Sequence, residues 1–414
     1  MTIDVIYLDF AKAFDKVDHY ILLKKAESLG ISGKILEWLR EFLTNRTQIV
    51  SVSGEISHEK PVLSGVPQGT VLGPILFIIM INDMPLSVIH SLLSSFADDT
   101  KVTKVISSNK DEANLQEDLA NIYKFAEQNN LSFNSSKFSH LRYNPNSLNS
   151  PVQDNQSIYL TADNNFINTK DSVKDLGVLM SSNLKFEDQI NSVRSKCKQL
   201  IGWILRTFKT RQAMPMMTLW KSLVLSQLDY CSQLWCPTKV CNLQMLEALQ
   251  RTFTSYISDT KHLDYWDRLK FFKLYSIERR FERYLVIYMW KIVEQKVPSP
   301  CAFNLSDPNS RLGRQFYIEC LPNTSRSTQT IVFNSPINRG KRLFNKMPKE
   351  IRNISNVSVD TFKHQLDKFL NQLPDEPGIP SYTQLRPSVS NCLIDQINYK
   401  SVVSKTQPGP YNFN

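Results

Sequence analysis

Residues 3–8 form a short, nearly continuous apolar run, the signature of a buried strand, and the run stops at Asp9. Residues 18–29 carry Ile21, Leu22, Ala26 and Leu29 on one stripe at helical spacing, and residues 34–42 continue the helical pattern after Gly30 and Gly33. Residues 47–53 alternate like a strand, turn at Ser53-Gly54, and are expected to pair with residues 56–63 as a hairpin. Gly65, Pro67, Gly69, Gly73 and Pro74 punctuate a loop, and an apolar helix is predicted from Ile75. Residues 92–106 read as two short strands around Ala97-Asp98-Asp99. A helix follows with Leu115, Leu119, Ile122 and Phe125 on its inner face, and residues 138–143 and 173–180 read as further strands.

From residue 186 to 296 the pattern is helical throughout, with Leu219, Leu223, Leu228, Leu243, Leu246 and Leu249 in apolar stripes. Residues 144–157 and 298–313 read as a polar surface loop and a linker. Phe362, Leu366, Phe369 and Leu370 make a late amphipathic helix, and a Pro- and Ser-rich tail follows residue 374. The expected class is mixed α/β with a helical second half, and no internal repeat is visible.

Composition sharpens this picture at three points. Hydrophobic residues make up 42% and charged residues 21% of the 414, which is enough to bury substantial cores and unlike a disordered chain. Net charge is +10, and residues 191–296, with 18 basic and 8 acidic side chains, account for all of it. A local basic excess attracts phosphate backbones or anionic membranes; solvated helix faces are the plainer alternative. The seven cysteines form no C-x-x-C pair, and Cys231, Cys236 and Cys241 have no nearby His, which speaks against zinc and for free thiols in a reducing compartment. The longest apolar run, residues 75–81, is far short of the ~20 residues of a membrane span, so an intracellular chain without a membrane role is expected.

The candidate chemistry lies in Asp9 at a strand end and Asp98-Asp99 at a predicted hairpin turn. Strands of one sheet can join such ends, and convergent carboxylates form the oxygen-rich site that Mg²⁺ or Mn²⁺ prefers. Two such ions ~3.5–4 Å apart can clamp an in-line displacement at phosphorus. A solvated Asp-Asp turn and a helix-capping Asp9 are the alternatives.

The segments around these carboxylates decide between the two. Leu8-Asp9-Phe10-Ala11-Lys12-Ala13-Phe14-Asp15-Lys16-Val17-Asp18-His19 resembles the first catalytic block of the reverse transcriptases of non-LTR retrotransposons, of the jockey and chicken-repeat type. Ser64-Gly65-Val66-Pro67-Gln68-Gly69-Thr70-Val71-Leu72-Gly73-Pro74 is similar to the second block and Phe96-Ala97-Asp98-Asp99 to the third. Asn130, Asn134 and Lys137 resemble the fourth, and Lys174-Asp175-Leu176-Gly177-Val178 the fifth. The likeness continues through Tyr230-Cys231-Ser232-Gln233-Leu234-Trp235 to Phe344-Asn345-Lys346-Met347-Pro348, with Phe344 where Trp is usual. Any one block is weak, whereas the ordered set is specific.

The resemblance implies a right-hand polymerase palm with an antiparallel sheet and packed helices over residues 1–185. A basic helical thumb and connection over 186–297, a mostly helical region over 298–373 and a loose tail over 374–414 would follow. It implies an RNA-directed DNA polymerase that uses Mg²⁺ or Mn²⁺, an RNA template, a DNA primer and deoxynucleoside triphosphates. Asp9, Asp98 and Asp99 would be catalytic and, with the Phe10 carbonyl, metal-binding. Phe14, Gln68, Gly69 and Lys137 would bind the nucleotide, with Phe14 excluding a ribose 2′-hydroxyl and Lys137 acting on the pyrophosphate as general acid. Gly177 would grip the primer strand, and Arg194, Lys196, Lys198 and Arg206 would hold the template–primer duplex. The family's fingers region precedes its first block, so a chain opening eight residues before Asp9 is expected to lack most of it. A catalytically inactive nucleic-acid-binding remnant and a scaffold for protein partners are the competing expectations.

Overall fold

The structure, a computed structural model, describes residues 2–144, 159–298, 335–379 and 390–398. The chain divides into two compact units, Met1–Lys185 and Phe186–Asn414. The predicted loop at 144–157 and linker at 298–313 fall almost wholly outside the described residues.

The first unit runs β1 (Thr2–Leu8), α1 (His19–Ser28), α2 (Lys34–Leu43), then four two-residue strands, β2 (Thr47–Gln48), β3 (Ser51–Val52), β4 (Glu55–Ile56) and β5 (Lys60–Pro61). It continues with α3 (Leu72–Ile81), β6 (Leu92–Phe96), β7 (Asp99–Ile106), α4 (Asn109–Gln128), β8 (Ser139–Tyr143), β9 (Asn168–Thr169), β10 (Ser172–Asp175) and β11 (Val178–Ser181). The main sheet has the order β6-β7-β1-β8-β9, antiparallel except for the parallel pair β8-β9. The opening strand thus lies at the centre, with its partners supplied from roughly a hundred residues downstream.

Its two faces bury different things, as a period of two requires. Ile6 and Leu8 enter the main core with Leu22 of α1, Phe77 of α3 and Leu115, Leu119 and Ile122 of α4. Val5 packs on the opposite face with Leu141 and Tyr143, beneath Val173 and Met180 of the β10–β11 hairpin. The side chain of Asp18 caps α1 by accepting from the Ile21 amide at 3.0 Å, and a Ser108/Asp111 capping box opens α4. Helix α3 starts at Leu72, three residues before the expected Ile75, because Pro74 in the first helical turn forfeits no intrahelical donor. The expected hairpin over residues 47–63 is present as the short pairs β2-β5 and β3-β4.

One residue departs from the apolar reading of β1. Asp4 is fully buried and shares the helix-side face with Ile6. Its two oxygens accept from Arg142 Nε and Nη2 at 2.8 and 2.6 Å, and Tyr159 Oη donates to it at 2.7 Å. Arg142 also reaches Glu112 at 2.9 Å. Burial alone would raise the Asp4 carboxyl, but the bonds from Arg142, His140 and Tyr159 outweigh it and hold the group well below the ordinary carboxylate range.

The second unit is helical: α5 (Glu187–Thr207), α6 (Ala213–Leu219) running on through a π-helical stretch into α7 (Ser226–Asp229), α8 (Ser232–Trp235), α9 (Val240–Ser255), α10 (Tyr265–Phe272) and α11 (Ile277–Val293), then helices Pro336–Lys346, Lys349–Arg352 and Val359–Leu370. The sequence boundaries at 297 and 373 do not separate cores. Helix α11 is apolar on several sides, so it needs partners from both sides of the first boundary. Leu285, Met289 and Trp290 share one core with Leu343, Phe344, Phe362 and Leu366, and Trp290 stacks on Phe362 at 4.2 Å. The tail is not loose where it is described: Leu393 is fully buried in the same core, and its amide donates to Glu282 at 2.9 Å. No helix among the described residues is long and apolar enough to cross a membrane. Cys197, Cys231, Cys236, Cys241 and Cys392 are free thiols, and Cys301 and Cys320 lie outside the described residues.

Much of the basic excess of residues 191–296 is used inside this unit. Arg279 is fully buried and donates to the Pro374 carbonyl at 2.9 Å. Arg280 grips Asp229 through two nitrogens at 2.6 and 2.5 Å, and Arg283 grips Asp367 at 2.5 and 2.7 Å. Arg283→Glu, which sets like charges together in a largely buried pair, is therefore expected to cost ~3 kcal/mol of stability. Lys198→Glu on an exposed site is expected to stay within ~0.5 kcal/mol. Equal thermal midpoints for the two variants would remove the structural role of Arg283.

Candidate active site

The register of β1 against β7 assembles the site. Leu8 pairs with Thr100 and Tyr7 with Lys101, so the next residue of each strand toward the loop end is Asp9 and Asp99. Neighbouring antiparallel strands lie ~4.8 Å apart, which sets two carboxylates 90 residues apart in the chain side by side. The hairpin joining β6 to β7 has two turn residues, Ala97 and Asp98, and Ala97 adopts φ 52°, a left-handed conformation uncommon for a residue with a Cβ. Alternation puts Asp9, Tyr7, Asp99 and Lys101 on one face, at the floor of a cleft of about 540 Å³ that is also lined by Lys137, Lys170, Lys174 and Asp175. Asp98, at the turn, does not line this cleft but lies close enough to raise the Asp99 carboxyl.

Electrostatics in the cleft are unbalanced. Desolvation first, then the charges of Asp98, Asp175 and Asp9, push the Asp99 carboxyl above its ordinary value. Asp9 Oδ2 is buried and accepts no hydrogen bond, although Lys137 Nζ stands 3.0 Å away as an ion pair. Among the described residues no three His, Cys, Asp or Glu side chains converge closely enough to hold one ion as they stand. The donors are nonetheless all oxygen, mutually repelling, and in one case orphaned, which fits a hard divalent cation. The bridge of Phe10 to Phe133 uses the Asp9 carbonyl, which accepts from Asn134 at 2.8 Å, and the Ala11 amide, which donates to Ser132 at 2.8 Å. The Phe10 carbonyl therefore faces away from Phe133, and Phe10 is not among the residues that line the cleft.

The remaining predicted residues fall at three places. Lys137 is in the cleft, at Asp9. Phe14, Gln68 and Gly69 are not among its lining residues. The Phe14 ring stacks on Phe77 at 4.6 Å, partly buried against the core, and Gln68 Nε2 donates to Asp15 Oδ1 at 2.8 Å. Gly69 has φ 76°, with open space where a Cβ would stand. Gly177 and Leu176, both at positive φ, form the two-residue turn of the β10–β11 hairpin, the twist such hairpins favour. In the second unit Arg194, Lys196, Lys198 and Arg206 all lie on α5 but not on one face. At ~100° per residue Arg194 and Lys198 project together, Arg206 is about a third of a turn away, and Lys196 points to the opposite side.

In the sequence Gly65 stands only as one of the residues that punctuate the loop after β5. Its amide donates to the Val17 carbonyl at 2.8 Å, the Val66 amide to the Phe14 carbonyl at 2.8 Å, and His19 Nε2 bonds the Gly65 carbonyl at 2.8 Å. The loop after β5 is thereby laid directly on the loop after Asp9. A Cβ on Gly65 would come within 2.8–2.9 Å of the Asp15 and Phe14 backbone, at φ +91°. Gly65→Ala is expected to destabilise the first unit by ~2–4 kcal/mol, combining left-handed strain with overpacking against backbone that cannot yield. Urea denaturation checks it, and a loss under ~0.5 kcal/mol would contradict the close approach. Pattern alone could have flagged this glycine only as a turn; its neighbour is 50 residues earlier in the chain.

With this geometry established, comparison with known proteins gives a consistent answer. Residues 4–180 match the family described as reverse transcriptase (RNA-dependent DNA polymerase). The probable RNA-directed DNA polymerase from transposon X-element of Drosophila melanogaster is 25% identical over 355 residues, covering 81% of this chain and 36% of that protein. The RNA-directed DNA polymerase from mobile element jockey of the same species is 28% identical over 255 residues, covering 59% of this chain and 27% of that one. The chain thus spans roughly a third of the length of the curated relatives it matches. Among solved structures, telomerase from Candida tropicalis in complex with a fragment of telomeric RNA aligns with a TM-score of 0.38 and 13% identity, over 90% of this chain and 49% of that one. Residues 4–180 thus match the reverse transcriptase family, and the chain is similar to the RNA-directed DNA polymerases of jockey-type mobile elements.

Proposed function

We propose that the chain carries the polymerase centre of a mobile element's reverse transcriptase, extending a DNA primer on an RNA template with deoxynucleoside triphosphates. The observation that carries this reading is the β1–β7 register, which sets Asp9 beside Asp99 at the floor of a cleft. Asp9, Asp98 and Asp99, with the Phe10 carbonyl, would hold Mg²⁺ or Mn²⁺. Bound there, divalent cations supply a lowered pKa for the primer 3′-hydroxyl and charge stabilisation for the departing pyrophosphate.

The chain's own side chains do the rest. Lys137, 62% exposed and held at Asp9 by charge without hydrogen-bond geometry, can meet an anionic substrate entering the same cleft and give a proton to the leaving pyrophosphate. Phe14, steadied by Phe77, would stand against the ribose 2′ position, and Gln68 and Gly69 would border the base. Gly177 would let the hairpin turn approach the primer backbone closely. In the second unit, Arg194 and Lys198 on one side of α5, with Arg206 nearby and Lys196 opposite, would make phosphate contacts that weaken as salt rises. Primer extension on poly(rA) primed with oligo(dT), at varied Mg²⁺ and Mn²⁺, tests the reading; absence of any metal-dependent incorporation would overturn it.

A further inference from the structure

The base of the cleft holds an ion pair that the roles above leave unused. Lys101 Nζ bonds Asp175 Oδ2, and the side chains are 33% and 15% exposed. Tyr7 Oη makes a longer contact of 3.4 Å to the same oxygen. The three residues come from three elements: Tyr7 from β1, two residues before Asp9; Lys101 from β7, two residues after Asp99; and Asp175 from the end of β10, two residues before Gly177. Tyr7 and Lys101 are direct cross-strand partners, so one carboxylate on the hairpin is tied to both strands that bear the catalytic candidates.

The rest of the hairpin is held differently. Val173 and Met180, paired across it, pack on Val5, Leu141 and Tyr143. Val178, buried opposite Asp175, anchors the turn end by apolar packing as well, and the ion pair adds a directional bond beside it. Apolar packing is non-directional, whereas an ammonium–carboxylate bond has a defined reach.

We infer that Asp175 is a positioning residue, whose bond to Lys101, backed by Tyr7, pins the turn end of the 172–181 hairpin over the floor of the cleft and so holds the primer strand in register with Asp9 and Asp99. The pinning is a property of the fold; the consequence for the primer rests on the polymerase reading above.

Three variants of the full chain test it: Asp175→Asn, Lys101→Met and the charge-retaining Asp175→Glu. Trypsin cleavage after Lys170 and Lys174, followed by mass spectrometry under native conditions, reads the docking of the hairpin without any activity. Cleavage is expected to quicken about tenfold in Asp175→Asn and Lys101→Met and to stay near wild type in Asp175→Glu. Primer–template affinity, measured by fluorescence anisotropy without divalent cations, is expected to weaken about tenfold in the same two variants. In extension assays KM for primer–template should rise while KM for the nucleotide holds. A thermal midpoint that falls along with uniform changes in both KM values would reduce Asp175 to a general structural role and overturn the proposal. Unchanged cleavage in Asp175→Asn would overturn the pin. Faster cleavage with unchanged primer affinity would overturn its role toward the primer. If the wild-type chain extends no primer under any condition, the polymerase reading fails, and the cleavage result still decides the pin on its own.

Discussion

Replacing any one of Asp9, Asp98 or Asp99 by Asn is expected to cut primer extension by about 10²–10³-fold or more while leaving the fold intact. The amide keeps the size and part of the hydrogen-bonding capacity of the carboxylate and removes its charge, so the change isolates electrostatics. Under the proposed reading these groups serve a cation: Asp9 Oδ2 accepts no hydrogen bond beyond its ion pair with Lys137, and the charges of Asp98, Asp175 and Asp9 help to raise the Asp99 carboxyl. Removing one charge from such a cluster relieves repulsion, so Asp99→Asn should be no less stable than wild type even as activity collapses. That opposition of signs separates a catalytic group from a structural one. Extension at wild-type rates by both Asp98→Asn and Asp99→Asn would refute the assignment, as would an activity loss that merely tracks a fall in thermal midpoint.

The second large effect is on stability. Arg142→Met leaves the buried Asp4 without its guanidinium and with only Tyr159 and His140 as partners, and is expected to destabilise the first unit by ~2–4 kcal/mol. The figure sits toward the lower part of the range for broken buried pairs because Arg142 itself is 35% exposed and screened. The pH dependence has a definite sign. The Asp4 carboxyl is depressed in the fold, so its contribution is complete above the unfolded carboxylate pKa of ~3.9 and is lost as pH falls below that toward the lower folded value. The gap between wild type and Arg142→Met should be full at pH 7 and shrink below pH ~4. The double variant Asp4→Leu/Arg142→Met should recover much of the loss, since it removes both the charge and its need for a partner. Urea denaturation at pH 7 and at pH ~3.5 measures all three, and equal stability of wild type and Arg142→Met at pH 7 would show that the network contributes nothing.

What was legible in the chain follows from which signals are local. Element type was: a nearly continuous apolar run placed β1, the stretches either side of Ala97-Asp98-Asp99 read as β6 and β7, and the helical period placed α4 and the helices of the second unit. The candidate carboxylates were legible too, because a strand ending in Asp9 and a turn holding Asp98 are features of a few neighbouring residues. Three things were not. An aspartate inside an apolar run gives no sign of its partners, and Asp4 finds Arg142 and Tyr159 about 140 and 155 residues later. A cluster of arginines looks the same whether it faces phosphate or, like Arg280 and Arg283, a half-buried aspartate of the same unit. The glycine at position 65 reads as a turn until the loop it presses against is present.

By itself, then, the order of residues determined the elements, the polymerase-like blocks and which acidic side chains end up at strand tips. Only the tertiary structure decided that β1 would lie between β7 and β8, that Asp9 would come to rest beside Asp99, and that Asp175 would reach Lys101. The physical reason is that strand register is set by which faces can be buried together across the whole sheet, a condition that no local stretch of the chain contains.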